Sequence, residues 1–157
     1  MSVQSITPFL WFVDDAARAI ERYVDVFDDA EVLDENYGPD GTLFLASIRL
    51  HGQTLTLMNG GPDHKLTEAF SLSVIVETQQ DIETLSAALI EGGGEQGPCG
   101  WLTDAFGLSW QIVPTALLRL MGDPDREKAG RATKAMLKMQ KIDIAALERA
   151  AAGDSGD

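Results

Sequence analysis

Several residue types and sequence features are scarce or missing, and each absence excludes a class of protein. A single cysteine, Cys99, cannot form an intramolecular disulfide. No stretch approaches the roughly 20 consecutive apolar residues that a membrane-spanning helix needs. The opening residues, MSVQSITPFLWFVDD, lack the basic region and long apolar run of a secretory signal. We therefore expect a cytoplasmic protein with no membrane partner.

Positive charge is also scarce. Against 25 Asp and Glu there are 12 Lys and Arg, which gives a net charge of −13. Because phosphates would be repelled, this balance argues against nucleic acid as a partner. The cations are concentrated between residues 126 and 149, and this basic segment is either a solvated helix face or a surface that docks on an acidic partner.

Motifs and residues that carry familiar chemistry are few. There is no Walker, HExxH or GxSxG motif. His51 lies in the turn RLHGQ and His64 in the loop GGPDHKLTEA, so both are predicted to be solvated loop residues, with His64 the better functional candidate. Cys99 has no cationic neighbour in sequence and is predicted to be a buried structural thiol.

The order strand–helix–strands occurs twice. In the first half, an apolar strand over 6–13 precedes an amphipathic helix that Asp14 or Asp15 can cap, and strands follow over 30–37, 42–50 and 54–59. A strand over 70–77, a helix over 78–94, short strands in 95–105 and a strand over 107–114 repeat the pattern. We predict an α+β fold of two βαβββ modules, about 5–60 and 69–114, joined by the flexible connector NGGP.

The residues after the second module are predicted to be helical. Asp123 is the expected N-cap of one helix, with Pro124 at its first position, and Asp143 caps a second helix in which Leu147 faces inward. A stripe of methionines, including Met136 and Met139, packs internally or covers a partner subunit. The whole is predicted to be one domain over 1–153, with a helical extension over 115–153 and a tail over 154–157.

Several segments resemble one known family. LMNGGP, EAFSLSV, CGWLTDAFGLSWQIVP and DPDREKAGRATKAMLKMQKIDIAALERA occur in the order seen in the PhnB-like branch of the vicinal oxygen chelate (glyoxalase/bleomycin resistance/dioxygenase) superfamily. That branch often carries the label 3-demethylubiquinone-9 3-methyltransferase. The resemblance runs from Ile6 to about Gly153, and it implies a glyoxalase-like curved mixed sheet and a homodimer. No strand, glycine-rich turn and helix are placed to hold an adenosyl donor, so the residues do not support the methyltransferase label.

The resemblance also implies where a metal would bind. Metal-using relatives take one ligand from the first and one from the last strand of each module. Those positions fall here at Pro8, in the strand TLTLMN, at Ser71 and at Gln111. Since a catalytic divalent ion normally needs about three protein ligands, we predict no metal and no cofactor.

A ligand pocket is the interpretation that remains for this fold. We predict a cleft between the modules, with six residues lining it: Trp11, Asn59, Phe70, Ser71, Trp101 and Gln111. Glu68 is the candidate acid or base, although a structural role fits it equally well. Two alternatives stay open: an enzyme with a metal held weakly by Gln111, Ser71 and His64 or Glu68, or a protein that acts mainly in assembly through its C-terminal helices.

Overall fold

The computed structural model describes residues 2–154. Contacts divide the chain between Thr67 and Glu68 into two compact units. Each unit contains one of the two predicted βαβββ modules, and the second also contains the C-terminal extension. Of the predicted tail, residues 155–157 lie outside the described residues.

The first unit is a four-stranded mixed sheet with one helix. Its elements are β1 (Phe9–Phe12), α1 (Ala16–Val26), β2 (Glu31–Tyr37), β3 (Leu43–Leu50) and β4 (Gln53–Asn59). The strand order is β1-β4-β3-β2, in which β1 runs parallel to β4 and the other pairs are antiparallel. The β3–β4 hairpin turns at His51 and Gly52, and both adopt positive φ angles.

The apolar residues of α1 recur at helical spacing, and the helix face that they form covers one face of this sheet. Ala19, Ile20 and Tyr23 are buried against a face that includes Leu55 and Leu57. The expected Asp14 or Asp15 side-chain cap of this helix is wrong. Asp15 occupies the N-cap position, but its carboxylate pairs with Arg18 and makes no capping hydrogen bond.

The second unit repeats the element order of the first. Its elements are β5 (Ser71–Val76), α2 (Gln79–Ile90), β6 (Glu95–Gln96), β7 (Trp101–Thr103) and β8 (Ser109–Pro114). The strand order is β5-β8-β7-β6, with β5 parallel to β8. The predicted α+β class and the duplicated βαβββ arrangement are therefore confirmed.

Helix α2 begins with a reciprocal capping box. The Thr78 hydroxyl accepts from the Asp81 N–H, while the Asp81 carboxylate accepts from the Thr78 N–H and hydroxyl. These hydrogen bonds, first of all the one from the Thr78 hydroxyl, lower the pKa of Asp81 because they stabilise the charged form.

The C-terminal extension forms α3 (Thr115–Met121), α4 (Arg126–Met136) and α5 (Ile144–Ala152). It packs within the second unit, where Ile142 and Leu147 are fully buried. Asp143 caps α5 as predicted, by accepting from the Ala146 N–H. The N-cap of α4 is Asp125 instead of Asp123.

The two-residue error at α4 has a local cause. The Asp125 carboxylate accepts from the N–H groups of Glu127 and Lys128. Asp123 instead pairs with the Lys128 ammonium and accepts from the Asp125 N–H, and these contacts lower the pKa of Asp123.

Within residues 2–154, no helix has both the length and the apolar content needed to span a bilayer.

Candidate functional site on the second sheet

One face of the second sheet carries a patch of polar side chains. Strand register places Ser71, Ser109, Thr103 and Glu95 side by side, with Ser73, Gln111 and Trp101 in the next row. The residues that alternate with them point to the opposite face, where Leu102, Trp110 and Ile112 are buried and α2 packs on β7 and β8. We call the polar side the open face.

Two of the predicted site residues touch on the open face. Gln111 Nε2 donates a hydrogen bond to Ser71 Oγ at 2.9 Å. The expected alternation along β8 is also correct, since Trp110 lies on the helix-covered face and Gln111 on the opposite one. Gln111 and Ser71 thus form a neutral polar pair between the edge strand β5 and its parallel neighbour β8.

A cleft of about 470 Å³ lies at the β6–β7 end of this sheet. Trp101 and Pro98 supply apolar surface, Thr103 and Ser109 supply hydroxyls, and Glu68 and Glu95 supply the charged groups. Gln96, Gly97 and Leu102 complete the lining. Two sequence-predicted residues, Trp101 and Glu68, therefore line one cleft, and none of the lining residues is a lysine, arginine or histidine.

Gln96 was not among the site residues predicted from sequence. Its Nε2 donates to the carbonyl oxygens of Trp101, at 2.8 Å, and Gly97, at 3.2 Å. Its Oε1 is buried and has no hydrogen-bond partner among residues 2–154. In sequence, nothing distinguishes Gln96 from any other polar residue of a short edge strand. Its amide acquires a fixed orientation only because the folded chain brings the Trp101 carbonyl oxygen beside it.

The loop between β6 and β7 is held by the C-terminal extension. Cys99 and Gly100 donate their N–H groups to the carbonyl oxygens of Met139 and Gln140, at 2.8 and 2.7 Å. The prediction that Cys99 is buried is wrong: it is half-buried, at a positive φ of 57°. Gly100, with a φ of 81°, lies where a Cβ atom would be only 2.7 Å from the Ile112 carbonyl oxygen.

A buried carboxylate organises the turn between β7 and β8. Asp104, only 3% exposed, accepts from the N–H groups of Phe106 and Leu108 and from the Trp110 indole, each at 2.9 Å. Asp104 was not predicted from sequence either, although an Asp three residues before a glycine is a common turn pattern.

Other predicted site residues belong to the first unit and already have partners there. Trp11 Nε1 donates to the Gly61 carbonyl oxygen at 2.8 Å, and the Trp11 ring meets His64 edge-on at a centroid distance of 4.8 Å. Asn59 Oδ1 accepts from the Ala16 N–H and its Nδ2 donates to the Leu43 carbonyl oxygen, both at 2.9 Å. Asn59 therefore does the capping that was expected of Asp14 or Asp15.

The NGGP segment is not the flexible connector that the sequence suggested. Gly60 and Gly61 donate to the carbonyl oxygens of Phe12 and Val13, which continues the β1–β4 ladder. A Cβ atom on Gly60 would lie 2.3 Å from the Trp11 indole, so the close approach of the ring requires glycine. In the second unit, Phe70 lies just before β5 and is 40% exposed.

A family model described as 3-demethylubiquinone-9 3-methyltransferase matches residues 4–113. This chain belongs to that family.

Solved structures place this family member among relatives with the same fold. PhnB from Bacillus cereus is 29% identical and has a TM-score of 0.61, over 71% of this chain and 100% of that one. PA1353 from Pseudomonas aeruginosa is 22% identical, with a TM-score of 0.56, over 71% and 98% of the two chains. FosX from Listeria monocytogenes, a fosfomycin resistance protein solved with Mn(II) and sulfate, is 14% identical over 71% and 92%, with a TM-score of 0.51. At these identities, PA1353 and FosX show a shared fold alone.

Curated relatives match a shorter segment. An uncharacterized protein of Mycobacterium bovis, Mb0911c, is 45% identical over 58 residues, which are 37% of this chain and 37% of that protein. Rv0887c of Mycobacterium tuberculosis, also uncharacterized, has the same identity over 37% of this chain and 33% of its own. The match therefore spans about a third of the length of these relatives.

The positions at which the resemblance implies metal ligands carry few metal-coordinating side chains in this family member. Leu55 and Leu57 are fully buried in the first unit, and Ser71 and Gln111 are paired with each other. Among residues 2–154, no three His, Cys, Asp or Glu side chains are grouped so that they could hold a metal ion. The open face and its cleft can thus supply hydroxyls, the Gln111 amide, an aromatic wall and two carboxylates.

Proposed function

We propose that this protein binds a small organic molecule on the open face of its second sheet and that it does so without a resident metal. The observation that carries the proposal is the cleft of about 470 Å³, in which Trp101 lies beside Thr103, Ser109 and Glu95. An aromatic wall with a few polar groups is typical of sites for small molecules. The predicted site also includes Trp11, Asn59 and Phe70, and their part in it stays a prediction.

A metabolite screen by thermal shift tests the binding. Ligands of the cleft should raise the melting temperature of the wild type, and the rise should be lost in Trp101→Ala. Phe44→Ala is the matched control, because Phe44 is an aromatic residue of the first unit that is 53% exposed. If hits stabilise the wild type and Trp101→Ala equally, the assignment of this cleft is wrong.

The metal-free part of the proposal rests on side-chain chemistry. One amide and one hydroxyl, Gln111 and Ser71, fall short of the three protein ligands that a catalytic ion normally takes. We expect untagged purified protein to contain well under one equivalent of any transition metal. Near one equivalent of zinc, nickel or iron by elemental analysis, lost in Gln111→Ala, would instead support a metal-dependent enzyme.

Glu68 is the candidate acid or base of the site. Glu68 lines the cleft and is exposed, so it remains the carboxylate that we propose as acid or base if the bound molecule is transformed. Turnover of a screening hit that is abolished in Glu68→Gln, with binding retained, would establish that role.

We further propose a homodimer in the cytoplasm. All seven residues of β2 are exposed at an edge of the first sheet, and Val32, Leu33 and Tyr37 contribute apolar surface there. Exposed strand edges of this kind are normally covered. The interface should bury at least about 1,000 Å² in total. Sedimentation velocity at micromolar concentration tests this, and a monomer would refute it.

The alternative, a protein that acts mainly in assembly, has a structural argument against it. The C-terminal helices that would mediate assembly contribute Ala132, Leu147 and other buried residues to their own unit. Met136 and Met139 are half-buried there. An assembly role would be favoured if the screen found no ligand and a partner subunit protected these two methionines from oxidation.

A further inference from the structure

We infer that residues 139–144 form a strap that holds the apolar wall of the cleft in place, and that Gln79 is the positioning residue that attaches this strap to α2. The strap runs from the turn after α4 to the first residue of α5. The inference rests on the proposed function only in giving the wall a role in binding. The coupling of Gln79 to the loop at residues 97–100 does not depend on any ligand.

The first step of the argument is the contact between the strap and the loop. Cys99 and Gly100 donate their N–H groups to the carbonyl oxygens of Met139 and Gln140, at 2.8 and 2.7 Å. The residues on either side of these two donors, at positions 98 and 101, supply the apolar wall of the cleft. The main chain between them is therefore bonded directly to the strap.

The second step is the strained backbone of Cys99. Its φ of 57° lies in the left-handed region, which a residue with a Cβ atom rarely adopts. Such a conformation persists only where the surrounding structure holds it. The bond from the Cys99 N–H to Met139 supplies one constraint, and the close approach of Ile142 to Gly100 supplies another. Release of the strap would remove both and allow the loop to relax.

The third step is the attachment of the strap to α2. Gln79 Nε2 donates to the Ile142 carbonyl oxygen at 3.1 Å, and Gln79 Oε1 accepts from the Ile144 N–H at 3.0 Å. Gln79 Nε2 also donates to Glu83 Oε1 at 3.2 Å. Both polar atoms of the amide are thus engaged, and only an amide can donate and accept at these two positions at once.

An ion pair between Lys141 of the strap and Glu83 of α2 lies beside this attachment. Hydrogen bonds from Lys141 and from Gln79 lower the pKa of Glu83 because they stabilise its charged form. Both members of the pair are substantially exposed, and exposed ion pairs contribute little to stability. We therefore assign the attachment to the half-buried Gln79. A segment held in this way can open locally while the sheet stays folded.

Hydrogen exchange in the full-length protein tests the inference, with the Cys99 and Gly100 amides as the readout. Gln79→Ala removes both hydrogen bonds to the strap main chain. Gln80→Ala is the matched control, because Gln80 is the next residue of α2, is exposed, and bonds to Thr84 of the same helix. Amides of the β5–β8 ladder serve as the internal reference for unfolding of the whole sheet.

The expected result is selective acceleration of exchange in the loop. Gln79→Ala should speed exchange of both loop amides by at least about tenfold relative to the reference amides. Gln79→Glu should act in the same direction, since it retains the acceptor for the Ile144 N–H but places an oxygen against the Ile142 carbonyl oxygen. Gln80→Ala should change exchange in the loop by less than about twofold.

The Trp101 indole N–H signal extends the test to the wall itself. It should shift or broaden in Gln79→Ala, because the loop that precedes Trp101 loses its contact with the strap, and it should keep its wild-type position in Gln80→Ala. A side chain that only stabilises α2 would leave this signal unchanged.

The outcomes separate this inference from the proposed function. If Gln79→Ala leaves exchange of the loop amides within about twofold of the wild type, or accelerates the β5–β8 amides equally, Gln79 does not control the loop and the inference is refuted. A Trp101 signal that responds alike to Gln79→Ala and Gln80→Ala would also refute it. None of these measurements uses a ligand, so a metabolite screen without hits would overturn the proposed function and leave the coupling of Gln79 to the loop unaffected.

Discussion

The buried Asp104–Trp110 hydrogen bond permits a double-mutant test of what holds the second sheet together. Asp104 is almost fully buried, and its carboxylate accepts three N–H groups, two on Oδ1 and one on Oδ2. Hydrogen bonds to charged groups contribute about 1.5–3 kcal/mol each. The turn that connects β7 to β8 therefore depends on this single side chain.

Asp104→Asn changes one atom of the arrangement. The asparagine oxygen can still accept from the Phe106 and Leu108 N–H groups, but its nitrogen then faces the Trp110 indole N–H, donor against donor. The opposite orientation would leave both backbone donors unpaired. We expect Asp104→Asn to lower the free energy of unfolding by about 2–4 kcal/mol.

Trp110→Phe in the wild-type background should also cost about 2–4 kcal/mol, because it removes the indole donor and leaves a cavity. In the Asp104→Asn background the same substitution removes the donor that has lost its acceptor, so its cost should be smaller. The two substitutions should therefore be coupled by about 1–2 kcal/mol.

Urea denaturation followed by far-ultraviolet circular dichroism measures the four free energies without relying on tryptophan fluorescence. Asp63→Asn, in an exposed loop, is the matched control and should change stability by less than about 0.5 kcal/mol. If the Asp104 and Trp110 costs add within about 0.5 kcal/mol, the hydrogen bond does not couple them and the reasoning is refuted.

Three further predictions follow from individual contacts. Gly60→Ala should displace the Trp11 ring, visible as a shift of its indole N–H signal, because the new Cβ atom would otherwise lie 2.3 Å from the ring; an unchanged indole signal would contradict this. Ile142→Ala should lower the free energy of unfolding by about 2–5 kcal/mol, since Ile142 is fully buried, whereas Leu137→Ala, at a position 64% exposed, should have little effect; equal effects would refute the assigned packing. Because the pKa of Asp81 is lowered in the folded state, its contribution to stability is present above its unfolded pKa and is lost as the pH falls through the folded pKa. Acid denaturation should therefore be less steep in Asp81→Asn, and identical pH profiles would show that the capping box contributes nothing.

The duplicated architecture could be predicted from sequence because its signals are local and repeated. Apolar spacing of three and four residues identified both βαβββ helices, and alternation placed Trp110 and Gln111 on opposite faces of β8. Such patterns predict the elements reliably because the covered face of each element must be apolar, whatever residues it packs against. The turn at His51 was also local, since two residues separate β3 from β4.

The predictions were wrong where a residue distant in sequence plays a role that the local sequence pattern had assigned to a nearby residue. Asp14 or Asp15 was expected to cap α1, but the side chain that accepts the Ala16 N–H is that of Asn59, at the end of β4. Cys99 was expected to be a buried structural thiol because no cationic residue lies near it in sequence. Its backbone bonds to Met139, forty residues away, fix a loop that leaves the thiol half-buried. No local pattern reports partners at such separations.

The same reasoning explains why the candidate site was only partly found. Trp101 and Gln111 stood out in sequence as an aromatic and an amide on predicted strands, and both lie on the open face. Gln96 acquires its significance only from the carbonyl groups that orient it. The position of those carbonyls depends on the loop at residues 97–100, which the C-terminal extension holds through Met139 and Gln140.

The extension therefore fixes part of the proposed cleft. Pro98 and Trp101, at the two ends of this loop, form the apolar wall of the cleft. Gly100 admits no side chain beside the Ile112 carbonyl, and the buried Ile142 packs close to it. The loop is thus fixed between β8 and the segment that precedes α5. The carbonyl groups of Gly97 and Trp101 also fix the orientation of the Gln96 amide. Preorganisation lowers the entropy cost of binding, so a ligand of the proposed cleft would meet an aromatic wall that is already in place.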